Sequence, residues 1–132
     1  MKAEFHDLQD QHSALEGRVL ETPKALTTLL ESLRDRQPFC CELLGDNASK
    51  LTLGIGPQHG FAQYSSVDGA PPYFLAVSPL ESSEAGFVEF LAGDTFTPIS
   101  LRFCVSFEAV MTISIHFLET GNRSLDFLWE EI

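Results

Sequence analysis

Between residues 39 and 103 the chain breaks into short apolar runs bounded by turn residues. FCCELL covers 39–44, KLTLGIG 50–56, GFAQYSS 60–66, PYFLAVS 72–78, GFVEFLAG 86–93 and FTPISLRF 96–103. Connections of two to about eight residues between such runs suit antiparallel hairpins joined in a meander. Gly45-Asp46-Asn47, Pro57-Gln58-His59-Gly60 and Asp68-Gly69 supply the turn chemistry.

Two other segments have helical signals. Thr22-Pro23 pairs an N-capping hydroxyl with a proline at the first helical position, and Leu26, Leu29, Leu30 and Leu33 follow on one stripe. The spacing predicts a helix from Pro23 to about Arg36, stopped before Pro38. Residues 106–120, SFEAVMTISIHFLET, fit both periods. Met111, Ile113, Ile115 and Phe117 alternate as in a strand, while Phe107, Val110, Met111, Phe117 and Leu118 share a helical face. The boundaries select helix: Ser106 caps, Glu108 lies in the first turn, and Gly121 terminates. KAEFHDL at 2–8 reads as a first strand, the polar stretch to Gly17 as loop, and SLDFLWEEI as a last strand, with Trp129 placed in the core. The sum is one domain over residues 1–132. Its expected class is α+β, an antiparallel meander sheet of about six to seven strands with two helices packed on one face.

LTLGIGPQHGFAQYSSVDGAPPYF, residues 51–74, is rich in glycine and invites comparison with a phosphate-binding loop. Such a loop must lead into a helix whose N-terminus holds the anion. Here strand-like FAQYSS follows, and Pro57 removes a backbone donor. The glycines therefore read as turns, and Gly54 and Gly56 as a bulge or a close approach of another group.

Charge is the clearer functional signal. Nineteen Asp and Glu face eight Lys and Arg, for a formal net charge of −11. Between Leu51 and Ser100 there is no Lys or Arg, whereas Asp68, Glu81, Glu84, Glu89 and Asp94 lie within the span. A surface of this kind repels nucleic acid and anionic membranes and attracts a basic partner. Tyr64 and Tyr73, beside the acids, are aromatic types suited to anchoring such an interface.

Catalytic and metal signals are weak. Cys40, Cys41 and Cys104 form no CxxC pair and read as buried free thiols, with Cys40 and Cys41 on opposite faces of a strand. His6, His12, His59 and His116 are scattered over different elements, and no G-x-S-x-G occurs. No cofactor, metal or enzymatic activity is expected. The N-terminus is too polar for a signal peptide, and no apolar run approaches the roughly 20 residues of a membrane span. A cytoplasmic location is the expectation.

The order of pieces also carries a resemblance. Leu51–Gly56, Tyr64, Asp68-Gly69, Tyr73, Val88-Glu89-Phe90, Pro98, Phe117, Gly121 and Trp129-Glu130 follow one another in an arrangement similar to the first numbered family of bacterial polymorphic-toxin immunity proteins. It covers roughly residues 50–131, and residues 1–48 have no matching motif. The resemblance implies an α+β antidote that binds a secreted toxin, often a nucleic-acid deaminase, and blocks its active-site cleft. An acidic protein suits a toxin whose groove must be basic to grip nucleic acid. Tyr64, Asp68, Tyr73, Glu81, Glu84, Glu89 and Asp94 are the interface candidates, Tyr64 and Glu89 doubling as family-pattern positions. A small-molecule-binding or enzymatic domain using His116 or Cys104 in a pocket, and a structural subunit of a larger complex, remain as alternatives.

Overall fold

A computed structural model of the chain describes residues 1–78 and 86–132. The described residues are α+β, with two α-helices and a nine-stranded sheet. The elements are β1 (Ala3–Asp7), β2 (Val19–Leu20), α1 (Pro23–Leu33), β3 (Phe39–Gly45), β4 (Ser49–Ile55), β5 (Phe61–Ser66), β6 (Phe74–Ala76), β7 (Phe87–Ala92), β8 (Thr95–Ser100), α2 (Phe107–Thr120) and β9 (Trp129–Glu131). The main path runs β2-β1-β3-β4-β5-β6-β9, and every pairing along it is antiparallel.

The strand count exceeds the expected one, partly because Val19–Leu20 adds a short edge strand against Ala3 and Glu4. The path also departs from a plain meander. The β7–β8 hairpin joins it by a parallel contact between Leu91 and Phe39. Three elements are shorter than their apolar runs suggested. β6 is confined to Phe74–Ala76. After β8 the chain tightens into a 3-10 turn at Leu101–Phe103, capped by Ser100. Only Trp129–Glu131 of the last segment pairs, since the Trp129 indole N–H donates to the Ser124 carbonyl at 2.9 Å and holds 124–128 in a loop.

Both helices begin as their caps dictate. The Thr22 hydroxyl accepts from the Ala25 N–H at 3.1 Å, and the Ser106 hydroxyl accepts from the Ala109 N–H at 3.0 Å. α1 stops at Leu33, three residues short of Arg36, and the chain then closes in single turns ahead of Pro38. α2 ends on Gly121, whose φ of 74° is the left-handed conformation glycine adopts freely.

The two helices share one face of the sheet. Leu26, Leu29, Leu30 and Leu33 of α1, with Phe107, Val110, Ile113 and Phe117 of α2, pack on Phe5, Cys41, Leu43, Leu51 and Leu53. Each buried Leu or Phe contributes about 1.5–3 kcal/mol of transfer free energy, so this layer dominates the stability. The opposite face carries a smaller core of Cys40, Phe61, Leu75 and Phe90, with Val88, Ala92, Ile99 and Phe103 packed against it. The β7–β8 hairpin covers that part of the second face. Cys40 and Cys41 do fall in different cores.

Candidate protein-docking surface

GIGPQHG joins two strands. β4 ends at Ile55, β5 begins at Phe61, and Gly60 bridges to Val105. Gly54 is required by packing. A Cβ there would lie 2.3 Å from the Phe61 ring and 2.8 Å from the Phe90 ring. These rings meet edge-to-face at 5.0 Å directly over the strand.

The acids of the cation-free span separate. Asp68 sits in the β5–β6 turn, where its carboxylate accepts the Ala70 N–H at 2.9 Å. That N–H, then the Ser66 side chain, hold its pKa below the ordinary carboxylate value. Asp94 sits at the tip of β7–β8, where neighbouring Gly93 donates to Leu8 at 2.9 Å. Asp68 therefore lies by the Ser49 end of β4, and Asp94 by the Phe39 end of β3, which is the opposite end of the sheet. Glu89 shares the hairpin with Asp94. Glu81 and Glu84 fall outside the described residues.

Tyr64 and Tyr73 are engaged internally. The Tyr64 hydroxyl bonds to Ser49 and Gly121, and its ring packs edge-on against Phe117. The Tyr73 hydroxyl donates to the Gly69 carbonyl across the turn. Arg123 also lies 3.9 Å above the Phe74 ring and 5.7 Å from that of Tyr64, bringing a cation to this side of β5 and β6.

The exposed aromatics are elsewhere. Of the eleven Phe, only Phe87 (60% exposed) and Phe96 (50%) are open to solvent. Alternation explains both. Val88, Phe90 and Ala92 turn inward to the second core, so Phe87 and Glu89 turn outward. Across the hairpin Glu89 faces Pro98, Leu91 faces Phe96 and Phe87 faces Ser100. While half-buried Leu91 packs back on the first core beside Phe39, the outward face thus carries Phe87, Phe96 and Pro98 around one carboxylate, with Asp94 at the tip. A signal for it was present in the sequence: in FVEF, one polar residue at 89 marks the solvent side and carries Phe87 with it.

All six ion pairs among the described residues lie outside 51–100. Glu89 and Asp94 have no ionic partner among the described residues. A second exposed apolar feature is the loop before β9, with Leu125 at 94% and Leu128 at 78% exposure. Arg123 stands beside it in the chain, and Arg102 stands two residues beyond the Phe87–Ser100 end of the hairpin.

Among the described residues, groups suited to chemistry fall in three places, the buried thiols, the cleft at His116 and the cleft at His6. Burial pushes the Cys40 and Cys104 thiols up to about 11, and Cys41 well above its ordinary value. His116 lines a cleft of about 420 Å³ with Tyr64, Thr120, Asn122 and Arg123, and Cys104 is not part of it. On the open part of the second face, His6 bonds to Glu16 through Nδ1 and lies 3.4 Å from Glu4 through Nε2, lining a cleft of about 460 Å³. The residues lining that cleft include the carboxylates of Asp7, Glu16 and Glu42 and no Ser, Thr or Cys. Among the described residues no set of three or more His, Cys, Asp or Glu is arranged to hold a metal, and no helix is long and apolar enough to cross a membrane.

No family model matches the chain, and no curated protein does.

Proposed function

We propose that the chain is a stoichiometric protein inhibitor, an immunity protein that binds a cognate toxin domain and closes its active-site cleft. The observation that carries this reading is charge. A chain of net charge −11 leaves 51–100 without Lys or Arg, and every ion pair among the described residues is made elsewhere. An unneutralised negative field opposes the compact state by self-repulsion and favours fast capture of a basic surface. A toxin that acts on nucleic acid must present such a surface, because phosphate contacts come from Lys and Arg.

The toxin as partner, and a nucleic-acid deaminase as its class, rest on the order of sequence pieces from Leu51 to Glu130. In this reading the inhibitor works in the cytoplasm, catalyses nothing and requires no cofactor. The test is co-expression with the C-terminal domain of a toxin encoded next to this chain. A one-to-one complex whose association slows with added salt, and rescue of cells producing the toxin, are expected. Absence of a tight complex, or failure to rescue, rejects the reading.

A further inference from the structure

We infer that the outward face of the β7–β8 hairpin is a receptor for a lysine or arginine side chain of a basic protein partner. Glu89 supplies the countercharge, and Phe87 and Phe96 the walls. This deepens the inhibitor reading and rests on it for the partner's identity.

The register sets the geometry. Glu89 stands two residues from Phe87 and two from Leu91 on β7, directly opposite Pro98, and diagonal to Phe96. Diagonal neighbours on one sheet face lie about 7–8 Å apart, within reach of aromatic side chains. A long cationic side chain laid across the hairpin can therefore place its charge at Glu89 and its methylenes on the phenyl rings. Lys and Arg bury their stems in this manner, and a cation over an aromatic ring gains about 0.5–2 kcal/mol as water is excluded.

Charge selects the occupant. A second copy of the chain would bring Glu89 and Asp94 against their own equivalents, with a net charge of −11 on each molecule. Nucleic acid is excluded on the same grounds. Strand addition is disfavoured too. Among the described residues β8 pairs only with β7, and Pro98 stands in mid-strand, where it withholds a backbone donor. The docking mode is a face carrying aromatic anchors with a buried counterion, the arrangement in which a few residues dominate binding.

The experiment has two arms, both on the full chain. In the first, backbone amide NMR follows titration with a short oligo-arginine peptide, with oligo-glutamate as control. The largest shifts are expected at Phe87, Glu89, Leu91 and Phe96. Glu89→Gln or Phe96→Ser should weaken binding about fivefold, and Asp126→Asn should leave it unchanged. Largest shifts at the His6 cleft or at 125–131, or evenly over all acids, overturn the inference. So does an unchanged affinity for Glu89→Gln. Because these residues are exposed, unaltered thermal midpoints should show that the variants remain folded.

The second arm measures the toxin domain against the same variants. If the wild-type chain binds and rescues but Phe87→Ser/Phe96→Ser binds as tightly, the hairpin site is wrong and the inhibitor reading survives. If the wild-type chain ignores the toxin while the peptide maps to the hairpin, the inhibitor reading fails and the cation receptor stands.

Discussion

The phenol of Tyr64 donates to the carbonyl oxygen of Gly121 at 3.2 Å while lying 2.9 Å from the Ser49 hydroxyl. One side chain on β5 thereby ties the start of β4 to the C-terminal cap of α2. Tyr64→Phe keeps the ring against Phe117, leaves the Gly121 carbonyl with its remaining donor, the Asn47 amide at 3.0 Å, and takes from the Ser49 hydroxyl its phenol partner. The expected loss is about 1–2 kcal/mol in urea unfolding, from two hydrogen bonds of modest net worth. Association with a basic partner should be unaffected. A slower on-rate with unchanged stability would restore Tyr64 as an interface anchor.

Gly54 permits a different junction, the Phe61–Phe90 contact that seats the hairpin on the sheet. Gly54→Ala places a methyl 2.3 Å from the Phe61 ring, closer than two carbons can approach. The expected cost is about 1–3 kcal/mol of overpacking strain. Phe61→Leu in the same chain should recover part of it, since the two positions couple through one contact. Additive losses in the double variant would show that the glycine serves some other purpose.

These two sites also show what could be read from the amino-acid order. Helix caps at Thr22 and Ser106, the stop at Gly121 and the glycine turns are local devices, and each acts where its residues stand. The helical alternative for 106–120 was decided by its ends, and Val110, Ile113 and Phe117 are buried as that face requires. The parallel contact of Leu91 with Phe39 was not legible, because no local pattern says which distant strand a hairpin will join. The docking surface was only half legible. Tyr64 and Tyr73 resemble anchors by type, yet their hydroxyls find internal partners supplied by α2 and by the Gly69 turn. Phe87 and Phe96 resemble core by type, yet alternation with Phe90 turns them outward. Residue type set the first expectation, and the pleat decided the outcome.

The three thiols make a prediction about pH. Burial raises Cys40 and Cys104 from 9.0 to about 11, and raises Cys41 well above the same starting value. A pKa higher in the folded than in the unfolded chain gives stability that is complete below the unfolded value and lost as pH climbs toward the folded one. The urea midpoint should therefore fall between about pH 9 and about 11. Cys40→Ala should flatten that slope, and an unaltered slope would assign the decline to other groups. Near neutral pH the native protein should resist thiol-specific reagents that label all three cysteines in denaturant.

Asp7 closes β1 at the corner where the hairpin tip is attached. Its buried carboxylate accepts Arg36 at 2.9 Å and the N–H groups of Gln9 and Asp10 at 2.9 Å each. One residue on, the Leu8 N–H donates to Cys40 and the Leu8 carbonyl accepts Gly93. Asp7→Ala removes the acceptor and leaves Arg36 with Phe39, whose ring lies 3.8 Å from the guanidinium carbon. Because Arg36 is partly solvated, the expected loss is about 3 kcal/mol, at the lower end for a broken buried pair. Asp7→Asn preserves an oxygen for the turn amides and should lose about half as much. If the corner positions the hairpin, Asp7→Ala should also speed amide exchange at Gly93 beyond what the global stability loss explains. Equal acceleration at Gly93 and in the β4 centre would mean that Asp7 stabilises the whole domain and holds no local corner.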